Sequence, residues 1–225
     1  MDPAILFVLF AIVAVAFGIW SWMREQQRRE AWFLAANQLG FEYSREDPFS
    51  IVRMPFSLFR KGDGRGAENV AWGRWKDLDV RVFDYWYYTE STDSKGNTSR
   101  SYSRFTCAMT PVPDAWPHLS VTRETVLSRL GDFVGFRDIQ FESDEFNRCF
   151  QVKSSDPRFA SYLIDPRMMQ WLLDGNTRWS FEMNAGWLLV WSGRLREPKL
   201  HGHLYALAGF LRQVPKVVHE VFGSR

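Results

Sequence analysis

The sequence predicts an α+β fold: an N-terminal transmembrane helix followed by one domain whose mainly antiparallel sheet is packed by several helices. Three observations lead there. Residues 3–23 carry no charge. Strand-like runs rich in Val, Phe, Tyr and Trp come next, joined by Gly- and Pro-bearing turns. Helix signals then mix in without the regular strand–helix alternation that builds a parallel sheet. The expected divisions are an anchor over 1–23, a juxtamembrane helix over 24–40 and a cytoplasmic α+β domain over 41–225.

The run Ala4-Ile5-Leu6-Phe7-Val8-Leu9-Phe10 continues apolar to Trp20, and a helix needs roughly 20 such residues to cross the hydrocarbon core. Trp20 and Trp22 close the run, where indoles favour the headgroup level. Arg24, Arg28 and Arg29 follow at once, whereas the other flank offers Asp2 and the terminal amine. This asymmetry predicts a single-pass plasma-membrane protein with its N-terminus outside and its C-terminal domain cytoplasmic. A cleaved signal peptide is the rival, since Ala14-Val15-Ala16 fits a small-x-small site. There is no basic n-region, however, and the apolar run continues past that site. A buried soluble helix would show a polar face, and this run has none.

Arg24 to Leu39 reads as a continuing helix ended by Gly40, with Trp32, Ala35, Ala36 and Leu39 on one stripe for packing against the domain. Gly62-Asp63-Gly64-Arg65-Gly66 reads as a flexible loop opening a strand from Val70 to Trp75, and Lys76-Asp77-Leu78 as a turn. The strongest strand signal is Asp79 to Thr89; Glu90 to Ser101 reads as a polar hairpin tip and Tyr102 to Thr110 as the return strand. Thr122 is expected to cap a helix through Leu130, and Asp138 to Phe141 to form a strand. Ser143 is expected to cap a turn through Cys149. Asp156-Pro157 and Asp165-Pro166 are helix starts, with Asp as N-cap and Pro at the first helical position. Asn184-Ala185-Gly186 predicts a hairpin between Trp179–Met183 and Trp187–Trp191, with one face of the first run on the core. Leu200, Leu204, Leu207 and Leu211 form a helical stripe, and Pro215 kinks that helix or starts another through Phe222.

Several of these residues also carry a likeness. Ala36-x-x-Leu39-Gly40-Phe41, Met54-Pro55-Phe56, Gly73-x-Trp75 and Val82-Phe83-Asp84-Tyr85 occur in that order. Phe141-Glu142-Ser143-x-x-Phe146-Asn147-x-x-Phe150-x-Val152 and Asp156-Pro157-Arg158-Phe159-Ala160 follow, then Pro166 and Leu172-Leu173. Together they resemble an uncharacterised family of bacterial single-pass membrane proteins with an intracellular α+β domain, over residues 35 to 175. The resemblance implies a plasma-membrane location and supplies no catalytic residues.

Composition narrows the function classes. The 225 residues hold 28 Lys+Arg against 26 Asp+Glu, so the formal charge of +2 provides no global field for nucleic acid. A hydrophobic fraction of 46% excludes a disordered tail. The two cysteines cannot staple a domain of this size. Cys107 shares a strand face with Phe105 and Met109 and reads as core; Cys149 has no CxxC companion. His201-x-His203 is the nearest approach to a metal pair, but helical i and i+2 positions diverge by about 200°. His118 and His219 stand alone and read as surface or cap residues. No metal or cofactor is expected, and no Gly-x-Ser-x-Gly, Walker, HExxH or Rossmann spacing occurs.

Three places invite a functional reading. Asp84 lies in Val80-Arg81-Val82-Phe83-Asp84-Tyr85-Trp86, a strand apolar on both faces, so its carboxylate must find a partner, such as Arg81, Arg104 or a tyrosine hydroxyl, or have its pKa raised. It is expected to be a satisfied structural group, with a catalytic acid or base as the alternative. Trp72, Arg74 and Trp75 interleave aromatics with charge and form a possible binding surface, although alternation sends Trp75 to the face opposite Trp72 and Arg74. From Arg194 on, the excess of basic residues suits a solvated helix face or a contact with anionic lipid. The function expected from these features is a non-enzymatic interaction or scaffold module at the cytoplasmic membrane face. A membrane-associated enzyme using Asp84, or a small-ligand or lipid sensor, is the alternative. The bilayer is the expected partner of the N-terminal helix, and any protein partner is unknown.

Overall fold

In the computed structural model, which describes residues 3–123, 138–175, 178–196 and 198–223, the apolar run and the segment after it form one uninterrupted helix, α1 (Pro3–Gln38). Its first half projects from the rest of the molecule, with Phe7 72% and Phe10 73% exposed. It is long and apolar enough to cross a membrane. Its last turns pack instead, with Trp32 and Ala36 fully buried. Gly40, at φ +69°, ends the helix. The Phe41 N–H returns to the Ala36 carbonyl at 2.9 Å and the Gly40 N–H to the Asn37 carbonyl at 3.0 Å, the paired bonds of a left-handed glycine stop.

The domain is α+β, built on a nine-stranded sheet in which every neighbouring pair is antiparallel. Its strands are β1 (Glu42–Glu46), β2 (Gly64–Trp75), β3 (Leu78–Thr92), β4 (Thr98–Pro111), β5 (Leu119–Arg123), β6 (Asp138–Ile139), β7 (Phe150–Ser154), β8 (Ser180–Asn184) and β9 (Trp187–Gly193). They run in the order β1-β2-β3-β4-β9-β8-β5-β7-β6. The helices are α2 (Asp144–Cys149), α3 (Pro157–Leu163), α4 (Pro166–Leu173), α5 (Leu200–Gln213) and α6 (Lys216–Phe222). α1 lies over β1 and β2, and α5 over β3, β4 and β9.

The sheet is covered on both faces. One face carries the helices and the larger core, including Val82, Ala108, Val190, Phe181 and Phe210. The other is closed by Ile51, Leu58 and Phe59, from short 3-10 turns at Ile51–Arg53 and Leu58–Arg60, and by Phe56 between those turns, packed on Phe83, Tyr85, Cys107 and Trp191. Double coverage corrects the expectation for the 180–191 hairpin: Ser180 to Met183 are all buried, so the run does not present one wet face. Its two-residue turn has Ala185 at φ +46° and Gly186 at φ +72°, the geometry that matches strand twist.

Other boundaries also shift. The β3–β4 ladder runs out to Thr92↔Thr98, so most of the expected loop at Glu90 to Ser101 is paired strand. β2 begins at Gly64, inside the expected glycine loop. A Cβ at Gly64 or Gly66 would meet the rings of Tyr88 and Trp86 at 2.4 and 2.7 Å, so these glycines give room for cross-strand aromatics. Thr122 does not cap a helix; it lies in β5 opposite Gln151, and the helix expected through Leu130 lies outside the described residues. Helix starts agree with the sequence: Ser143, Asp156 and Asp165 each accept a bond from the first-turn backbone, and Pro215 begins α6.

Candidate functional site

The site is built where the end of α1 crosses β3. Alternation along β3 sends Phe83 and Tyr85 into the smaller core and Val82 and Asp84 to the helix face. β2 is bulged between Glu68 and Ala71, with Asn69 at φ +53°. The bulge aims the Asn69 amide at Asp84.

Asp84 is 1% exposed, and its partner is Arg28 of α1, one helical turn before Trp32. Arg28 Nε and Nη2 donate to the two carboxylate oxygens at 2.7 Å each. Trp32 Nε1 donates at 3.0 Å, Asn69 Nδ2 at 3.3 Å and Thr106 Oγ1 at 3.2 Å. Five donors saturate the lone pairs of one carboxylate. Arg28 Nη1 also donates to the Leu195 and Arg196 carbonyls at 2.7 and 3.1 Å, so one guanidinium ties α1 to β3 and to the segment after β9. Such a planar fork suits an ion pair taken out of water.

The partners named from the sequence are occupied elsewhere. Arg81 lies over the rings of Phe49 and Trp187 at 3.9 and 4.6 Å, Arg104 over Tyr102 at 4.9 Å, and the Tyr85 hydroxyl donates to the Leu58 carbonyl at 3.0 Å. Arg28, expected at the bilayer interface, turns its charge into the domain. Trp20, Trp22 and Arg24 are exposed, with Arg24 4.8 Å over the Trp20 ring; Arg29 is half-buried.

Beside Asp84 opens a cavity of about 610 Å³. Helix α1 lines it with Trp20, Ser21, Arg24 and Glu25, β4 with Arg104, and the segment after β9 with Arg194 and Arg196. Arg194 Nη2 lies 3.6 Å from Glu25, 3.8 Å from Glu68 and 3.7 Å from Asp84. Burial, then the Glu25 charge, pushes the Glu68 carboxyl up, with Arg194 pulling it back.

Trp72, Arg74 and Trp75 do not come together as a surface. Trp75 is buried, with its ring 5.1 Å from Tyr205. Trp72 packs on Phe49 at 5.1 Å, and Arg74 alone is exposed. His201 is exposed whereas His203 is fully buried. His203 Nε2 lies 2.9 Å from the Thr106 carbonyl, and burial pulls its imidazole down to about 4. Cys107 sits in the smaller core, as its face predicts, and burial raises its thiol well above the usual range.

A second buried carboxylate, Glu182 of β8, escaped the sequence reading. It accepts from Ser57 N at 2.9 Å and Ser57 Oγ at 2.8 Å, and lies 2.9 Å from His118 Nε2. His118 is therefore an internal partner, which corrects its reading as a surface or cap residue. Serine and histidine both meet the carboxylate rather than each other, which is not the order of a nucleophile, base and orienting acid. The signal was the lone acid in a strand of buried neighbours.

No protein-family model matches the chain, and no curated protein does. Among solved structures, the crystal structure of the mycobacterial trehalose monomycolate transport factor A, TtfA, is similar in fold. The TM-score is 0.56 at 17% identity, over 84% of this chain and 95% of that one.

Proposed function

We propose that this chain is a membrane-anchored, non-enzymatic interaction module held at the cytoplasmic face of the plasma membrane by the first half of α1. The observation that carries this reading is the Arg28–Asp84 lock. The most elaborately satisfied charged group described is spent on fixing the anchor helix to the domain, and it presents no open carboxylate to a substrate. A domain fixed in height and orientation under a bilayer gains effective concentration for a neighbouring membrane partner. The similar fold belongs to a protein named as a transport factor, which supports a role other than catalysis.

Crosslinking in intact membranes followed by affinity purification tests this. The full chain is expected to retain a stoichiometric partner that an anchor-free chain from residue 24, which keeps Arg28 and Trp32, loses. Equal retention by the anchor-free chain would break the link between anchoring and function. A cytoplasmic reporter fused after Arg225 is expected to be active; activity of an extracytoplasmic reporter there would reverse the orientation.

A further inference from the structure

We propose that the cavity between α1 and the β4–β9 side of the sheet binds the phosphate of an anionic phospholipid headgroup, taken from the leaflet that the anchor leaves. Five arginines line it: Arg24, Arg28, Arg104, Arg194 and Arg196. Arg28 is neutralised by Asp84, and Arg194 faces Glu25 and Glu68. Arg24, Arg104 and Arg196 make no ion pair with a described residue, so the described lining carries a net positive charge. Arg194 Nε and Nη2 are buried and make no hydrogen bond among the described residues. Arginine forks match phosphate oxygens in pairs.

The position of the cavity selects a lipid. Val13, Phe17, Trp20 and Arg24 recur at helical spacing on one stripe of α1. Val13 and Phe17 are each 65% exposed, and Trp20 and Arg24 line the cavity. An acyl chain lying along the apolar half of that stripe brings its phosphate to the arginines below Trp20. Basic pockets beside membrane helices take headgroups by this logic.

The inference rests on α1 crossing the bilayer, which alkaline carbonate extraction checks separately. Release by carbonate would overturn anchor and lipid site together; an integral protein without lipid preference would overturn the lipid site alone. The full chain is reconstituted in nanodiscs of phosphatidylcholine with or without phosphatidylglycerol, and retained lipid is read by native mass spectrometry. Wild type is expected to favour phosphatidylglycerol roughly ten- to thirtyfold, the scale of two surface cations. R104Q/R196Q is expected to fall near parity with an unchanged melting temperature, and R104K/R196K to keep most of the preference. An R104Q/R196Q protein as selective as wild type would overturn the site. Glycerol 3-phosphate or inorganic phosphate binding the detergent-solubilised chain as tightly as the lipid would assign the arginines to a free anion and overturn the lipid reading.

Discussion

At Asp84, two charges have been taken out of water and made to neutralise each other, so the stability of the pair depends on both being present. Asp84→Ala leaves a guanidinium facing two carbonyls, and Arg28→Ala leaves a carboxylate with only neutral hydrogen-bond donors and the more distant Arg194. Each is expected to destabilise the full chain by about 3–5 kcal/mol in urea unfolding. The apolar pair Arg28→Met with Asp84→Leu is expected to recover most of that loss, because it strands no charge. A double variant as unstable as the singles would show that the neighbouring donors need the carboxylate more than the ion pair does. That Asp84 needs a partner was legible from its place in an apolar strand. Its partner was not: Arg28 stands 56 positions earlier, among cations that the membrane rule alone explains.

At the scale of elements, local chemistry announced what local chemistry controls. Asp156-Pro157, Asp165-Pro166 and Gly40 mark helix ends through bonds made within one turn, and all three occur as expected. Thr122 fails because its strand position is decided by β7 and β8, which the sequence around it does not mention. Glu182 was hidden for a related reason: the segment carrying the 3-10 turns covers a sheet face that period-two alternation leaves open. β2 carries a matching constraint at Gly73, where a Cβ would lie 2.6 Å from Phe41 Cδ1, and Phe41 takes part in the stop of α1. Gly73→Ala is therefore expected to cost about 1–3 kcal/mol by overpacking, with a lower urea midpoint and an unchanged slope. An unchanged midpoint would mean that Phe41 yields without disturbing the helix end.

For the molecule as a whole, the buried His203 imidazole makes stability depend on acid. Burial holds its folded value near 4 against an ordinary 6.5, so between those values the unfolded chain binds the proton that the folded one excludes. Its contribution is fully present above pH 6.5 and is lost as pH falls toward 4, by about 3 kcal/mol in all. Melting temperatures measured from pH 7 to pH 4.5 should fall for wild type and fall less for His203→Gln. Parallel curves for the two proteins would place the acid sensitivity in another group.

The lock between Arg28 and Asp84 also has a mechanical meaning. It fastens the anchor near one end of the sheet, where α1 covers β1 and β2, and the order of strands places β6 at the opposite end. Six strand spacings separate β3, which carries the lock, from β6, about 28 Å of stiff, hydrogen-bonded lattice. A rocking of α1 by about 10°, within the range of tilts that membrane helices adopt, would swing the far edge by about 5 Å. In the membrane-anchored arrangement proposed above, the sheet is a pointer clamped to the helix, converting a change in helix tilt into a displacement at its far edge.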